Sequence, residues 1–197
     1  MSDPVALQMT APAPVTALEN ARHDGPVTVA ETGPWGMLTL RGDLSAAPVR
    51  SSLADATGLA MPEVRGVTVA GDRRVAWFSP DEALILVPRA DLAGVRAALD
   101  GALAGQHALV ADMSDARASF RISGEPAHLA EVLARLVPVD MGAFAVGELR
   151  RTRLAQVASA LWMPEEGVVE LVCFRSVARY VFDLLVEAAE SPRAFPA

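Results

Sequence analysis

From residue 35 onward, apolar positions fall into short runs suited to pleated strands, separated by longer runs carrying a helical stripe. Residues 35–41 predict a strand closed by Gly42-Asp43, and Ser45 predicts the cap of a helix over 46–56 with Gly58 as its stop. Residues 64–69 and 74–78 are β-rich around Ala-Gly-Asp, which predicts a hairpin, and 83–87 is the next strand. Asp91 is the expected cap of an Ala/Leu helix that reaches about residue 103. The series then recurs. Residues 107–113 and 116–122 predict strands, and Glu125-Pro126 opens a helix with Leu129, Val132, Leu133 and Leu136 on one face. Residues 149–155 and 159–163 predict a strand pair and 168–174 a further strand; Ser176 is the expected cap of a last helix to about residue 188.

The recurrence extends to motifs. Ala76-Trp-Phe-Ser-Pro-Asp-Glu82 is echoed by Ala160-Leu-Trp-Met-Pro-Glu-Glu166, each followed by an apolar strand, an Arg and a helix. Pro80 and Pro164 are 84 residues apart, and Gly42 and Gly124 are 82 apart. A nearly constant offset predicts duplication of a small unit. Each copy reads as β-α-β-β-α-β, a ferredoxin-like split βαβ. The expected fold class is therefore α+β, a tandem of halves at about 35–105 and 106–190 in one pseudo-symmetric domain. Residues 1–34 carry Pro at 4, 12, 14, 26 and 34 with little useful period; they predict an extended arm, and 191–197 a tail.

Charge narrows the function classes. A net charge of −7 and a pI near 4.9 argue against a nucleic-acid footprint. All 17 basic residues are Arg, which excludes a Schiff-base lysine and a P-loop lysine. The single Cys173 lies in an apolar run, so no disulfide framework is expected and a reducing cytoplasm fits. Neither a signal-peptide order nor an apolar run of about 18 residues is visible, so the expectation is a cytoplasmic chain without membrane attachment.

The chemistry-bearing residues are sparse. Asp112, Asp115 and Arg117 form a compact charged cluster at a strand junction, read either as an Asx turn with an ion pair or as a contact to a partner subunit. Arg151 and Arg153 share a strand face and Arg150 takes the other; they suit a carboxylate clamp, subunit ion pairs or a solvated face. Trp35, Trp77 and Trp162 lie at strand ends, where they are core plugs or, if exposed, interface anchors. His128 and Glu131 share a helical face without a third ligand in view, so no metal site is expected.

Asp112-Met-Ser-Asp-Ala-Arg117, a strand, Gly124-Glu-Pro-Ala127, a helix ending Arg135-Leu, and Pro138-Val-Asp140 together resemble the folate-binding domain of glycine-cleavage aminomethyltransferases. The Trp-Phe-Ser-Pro-Asp-Glu turn, Arg151-Thr-Arg-Leu154 and Arg175-Ser176 further resemble the gamma subunits of heterotetrameric sarcosine oxidases, over about residues 35–189. The resemblance implies two ferredoxin-like halves with exchanged N-terminal strands. It also implies a non-catalytic assembly subunit of a complex that oxidises sarcosine to glycine with oxygen and tetrahydrofolate. No cofactor is then expected in this chain, with FAD, FMN, NAD, tetrahydrofolate and zinc implied in the alpha, beta and delta partners. Asp140 falls where the aminomethyltransferases place an acid near folate, which makes it the one cofactor-binding candidate. The family's Tyr-Thr strand start is Arg151-Thr152 here, and its Gly-Gly-x-x-Asp-Asp hairpin is absent. The alternative reading is a free-standing folate-binding protein of the same superfamily.

Overall fold

A computed structural model describes residues 13–190. The strands are β1 (Arg22–His23), β2 (Val27–Thr32), β3 (Trp35–Arg41), β4 (Val67–Ala70), β5 (Arg73–Ser79), β6 (Glu82–Pro88), β7 (Leu109–Asp112), β8 (Arg117–Gly124), β9 (Leu149–Leu154), β10 (Val157–Glu165) and β11 (Val168–Phe174). The helices are α1 (Ala47–Thr57), α2 (Leu92–Ala102), α3 (Pro126–Leu136) and α4 (Ala178–Glu190). They build a mixed α+β fold on two antiparallel sheets, a larger one ordered β1-β2-β8-β11-β10-β9 and a smaller one ordered β4-β5-β6-β3-β7. β8, β11, β10 and β9 in the larger sheet repeat the chain order of β3, β6, β5 and β4 in the smaller, while β2 takes beside β8 the place that β7 takes beside β3.

Three apolar layers hold the elements together. The sheets meet face to face through Met37, Phe78, Leu84 and Leu86 on one side and Leu149, Ala160, Trp162 and Val172 on the other. Outside the smaller sheet, α1 and α2 seal Leu38, Leu40, Ile85 and Val87; outside the larger, α3 and α4 seal Phe120, Ile122, Val169 and Leu171. This explains why β6 is a continuous apolar run. Leu84 and Leu86 face the opposite sheet while Ala83, Ile85 and Val87 face helices, so both faces are dry.

The two sequence anchors meet in space. Gly42 N–H donates to the Asp81 carbonyl at 3.0 Å, and Gly124 N–H donates to the Gly167 carbonyl at 3.0 Å, so each post-strand glycine is tied to the Pro-acid turn of its own sheet. A Cβ on Gly124 would lie 2.8 Å from the Pro26 carbonyl oxygen, which makes glycine the residue that lets β2 enter beside β8.

Several expectations are corrected. The expected arm contains a core strand: Val27 and Val29 are fully buried, and β2 pairs with β8 in the register Val29↔Ile122. The buried carboxylate of Glu31 accepts from the Leu18 and Asn20 amides at 3.0 Å, fixing the preceding segment across α4's side of the sheet. Residues 1–12 of that arm and the tail at 191–197 lie outside the described residues. Nor does a boundary near 105 separate the sheets, because β7 lies in the smaller one, with Thr39↔Ala111 in register. Ser45 does not cap α1; its amide and hydroxyl bond Asp43, Ala46 takes the cap position without a side-chain bond, and Pro48 stands in the first turn. Asp91 makes no cap bond, being held by Arg73 at 2.7 Å, and Ser176 lies inside a 3₁₀ turn ahead of α4. Glu125 does cap α3, accepting from Ala127 and His128 N–H at 2.9 and 3.1 Å.

Candidate functional site

The densest polar constellation lies where the inner face of the larger sheet runs past the smaller one. β8, β9 and β11 carry Arg117, Arg151 and Phe174 to this end, and the β5–β6 turn brings Phe78 and Glu82 from the other sheet. Glu82 is 5% exposed. Arg151 Nη1 donates to its Oε2 at 2.9 Å, and Arg117 Nη2 lies 3.9 Å from Oε1. Both guanidiniums sit over Phe78, at 5.4 and 5.5 Å, and Arg117 also sits 5.6 Å from the Phe174 ring. Burial pulls the Arg117 pKa down; Glu82 works against that and the neighbouring Arg151 adds to it. Arginine stays charged regardless, so the two cations share one buried anion and leave a positive surplus. Arg117 Nε finds no hydrogen-bond acceptor. A small cavity of ≈ 80 Å³ opens between Arg117, Arg151 and Phe174.

A second ionic seam fastens the sheets away from this end. Arg74 on β5 grips Glu170 on β11 with two bonds of 2.7 and 2.9 Å, and both side chains are almost wholly buried. Arg121 joins at 3.4 Å, and Arg74 lies 5.0 Å above the Trp35 ring. A two-bond guanidinium–carboxylate fork is the geometry that makes a buried pair tolerable.

The expected Asp112–Asp115–Arg117 cluster is not assembled. Residues 113–116 turn as the chain crosses from the smaller to the larger sheet, and the three side chains diverge. Asp112 Oδ1 accepts from the Ser114 amide and hydroxyl at 2.9 and 2.6 Å. Partial burial opposes its charge, but the Ser114 bonds and the Arg89 and Arg96 charges prevail and hold its pKa below the usual carboxylate range. Asp115 faces Arg89 at 3.0 Å, and Arg117 turns to Glu82. Arg153 is exposed on β9, on the same face as Arg151. Trp35 is half-buried, its indole N–H donating to Thr32 Oγ1 at 3.3 Å, and Trp77 borders a shallow groove with Met61, Pro62 and Val64. Of the two readings for Trp162, core plug and interface anchor, the first holds: it is 1% exposed because it fills the layer between the sheets. Asp140 is exposed, and its Oδ1 accepts from Gly142 N–H at 3.0 Å in its own turn. Among the described residues no group of three or more His, Cys, Asp or Glu is placed to hold a metal ion.

Sequence reasoning passed over Glu82, Phe78 and Phe174 as site members. The available signal was the Glu of the Pro-Asp-Glu turn, a carboxylate opening a strand buried on both faces.

The sequence profile described as "Sarcosine oxidase, gamma subunit family" matches residues 41–191. The chain belongs to that family. The gamma-family chain is 35% identical over 121 residues to the sarcosine oxidase subunit gamma of Arthrobacter sp, covering 59% of this chain and 57% of that relative. It is 30% identical over 143 residues to the subunit gamma of Corynebacterium sp. (strain U-96), covering 70% and 67%. The match thus spans little more than half of the Arthrobacter relative's length. A chain of the heterotetrameric sarcosine oxidase from Corynebacterium sp. U-96, solved with pyrrole 2-carboxylate, superposes with a TM-score of 0.74 at 28% identity, over 87% of this chain and 88% of that one. The aminomethyltransferase T of the glycine cleavage system from Bartonella henselae shares the fold, with a TM-score of 0.59 at 12% identity over 79% of this chain and 44% of its own.

Proposed function

We propose that this chain is the gamma subunit of a heterotetrameric sarcosine oxidase and that it serves assembly rather than chemistry. The observation that carries the reading is the near end-to-end likeness to a chain of such a heterotetramer, at a TM-score of 0.74. Charged groups such as the Arg74–Glu170 fork and the Asp140 turn hold the sheets and turns, which fits a scaffold. In this reading the alpha, beta and delta subunits are its partners and hold the FAD, FMN, NAD, tetrahydrofolate and zinc. The complex demethylates sarcosine to glycine in the cytoplasm, and Asp115, Arg117, Arg151, Arg153, Trp35 and Trp77 contribute to subunit contacts. The fold itself is a duplication. β3, α1, β5, β6, α2 and β7 trace one ferredoxin-like unit with β4 added; β8, α3, β10, β11 and α4 trace the second, closed by β2 from the N-terminal side.

Affinity purification of this chain from its native host, with mass spectrometry and a visible absorbance spectrum, tests the reading. Yellow material containing further subunits and making peroxide from sarcosine supports it. A colourless single chain that binds tetrahydrofolate would replace it with a free-standing folate protein.

A further inference from the structure

We propose that β9 and the uncovered inner face beside it receive an extended acidic segment of another subunit of the oxidase, its carboxylates paired with Arg151 and Arg153. The inference rests on the gamma-subunit reading and adds the surface and the chemistry of the partner.

β9 is the terminal strand of the larger sheet. The edge is closed at both ends, by the Gly66↔Glu148 bridge and the Leu149 N–H on the Arg65 carbonyl at 2.7 Å at the start, and by the Ala155 N–H on the Leu136 carbonyl at 2.7 Å just past the end. Between them no described strand runs along the outer edge of Arg151–Arg153. Side chains alternate along a strand, and Leu149 lies in the layer between the sheets, so Arg151 and Arg153 point to that same inner face. There the smaller sheet stops short. Phe174 remains 47% exposed. Ala158 stands opposite Arg153, and Phe174 stands opposite Arg117. Arg117 and Arg151 therefore share one buried glutamate, and Arg153 adds a third positive charge to the same face, in a chain whose net charge is −7.

An added strand would complete the open main-chain ladder and set side chains i and i+2 over Arg151 and Arg153. Carboxylates at those two positions make favoured opposite-charge cross-strand pairs. The segment so recognised is extended, with acids two residues apart. Arginines on an edge strand also deter aggregation, and that role alone requires no partner.

The test uses the full chain with the remaining oxidase subunits, co-expressed for capture and purified for affinity at low and high salt. Arg153→Glu is the primary variant, since this exposed residue lies outside the Glu82 pairing; Arg151→Lys keeps a charge at the second position; Arg179→Glu on the far face of α4 is the control. Arg153→Glu is expected to melt as wild type does, to weaken capture at least about tenfold at low salt, and to remove most of the salt dependence. Arg179→Glu leaves capture unchanged. Wild-type capture by a correctly folded Arg153→Glu chain overturns the proposal. So does self-association of the wild-type chain that Arg153→Glu abolishes, which assigns the surface to a second copy. Failure of the wild-type chain to capture oxidase subunits at all is a different result, and it removes the gamma-subunit reading itself.

Discussion

Trp162→Ala probes the inter-sheet layer directly. The indole is 1% exposed and touches a layer built from both sheets, including Phe78, Leu84 and Leu86 from one and Leu149 and Val172 from the other. Truncation removes the largest fully buried side chain and leaves a cavity that two rigid sheets close only in part. The cost expected for such a change is about 3–5 kcal/mol, a large share of the roughly 5–15 kcal/mol that holds a typical domain folded. For a chain of this size that corresponds to a melting point lower by about 6–20 °C. Trp162 Nε1 has no acceptor, so Trp162→Phe loses volume but also removes an unpaired buried N–H. Its expected cost is within about 1.5 kcal/mol of wild type, because a loss of packing is offset by a group that is expensive to bury unbonded. Urea unfolding followed by far-ultraviolet circular dichroism reads both variants without relying on Trp35 and Trp77 fluorescence. The packing argument is refuted by a Trp162→Ala chain that unfolds like wild type but fails to join its partners. A Phe variant as damaged as the Ala variant refutes the unpaired indole.

Other expectations follow from single contacts. Gly124→Ala should lose about 1–3 kcal/mol by thermal melting, because its Cβ meets the Pro26 carbonyl oxygen at 2.8 Å, whereas Gly94→Ala in α2, with open space around it, should gain about 0.5–1 kcal/mol. Glu125→Ala removes the acceptor of two helix N–H groups and should cost about 0.5–2 kcal/mol in the same assay. Burial pushes the Cys173 thiol up to about 12 from 9.0, an effect that the Arg117 charge only partly counters. The unfolded chain then releases a proton that the folded chain keeps, so stability is lost as pH rises from about 9 towards 12 and this group contributes no slope below that window. Cys173→Ala should flatten alkaline unfolding curves over that range, and iodoacetamide should label wild-type Cys173 at pH 8 only after denaturant is added.

Strands whose pattern is self-evident were legible without coordinates: 35–41 and 168–174 match β3 and β11 residue for residue, since both are apolar runs bounded by Gly or charge. The Glu125-Pro126 start of α3 was legible for the same local reason. β2 was not, because prolines at 26 and 34 bracket Val27-Thr-Val-Ala-Glu-Thr and drew attention from its alternation. Its burial depends on β8 and α4, which are distant in sequence. The Ser45, Asp91 and Ser176 caps failed because each polar residue found a nearer partner or a 3₁₀ turn, a local competition that spacing does not decide. Of the flagged charges, Arg117 and Arg151 come together at Glu82 and Phe78, which belong to the other sheet. Clusters of this kind are made by sheet stacking rather than by neighbourhood in the chain.

The placement of β2 also sets a schedule for synthesis. Thr32 hydrogen-bonds Ser119 across 87 residues of sequence. A ribosome adding about 5–20 residues per second exposes β2 for roughly 4–17 s before its neighbour exists. Throughout that interval Val27 and Val29, both wholly covered in the finished molecule, remain wet on an unzipped nascent strand. A strand made early is thus enclosed only after its partner, far along the chain, has been made.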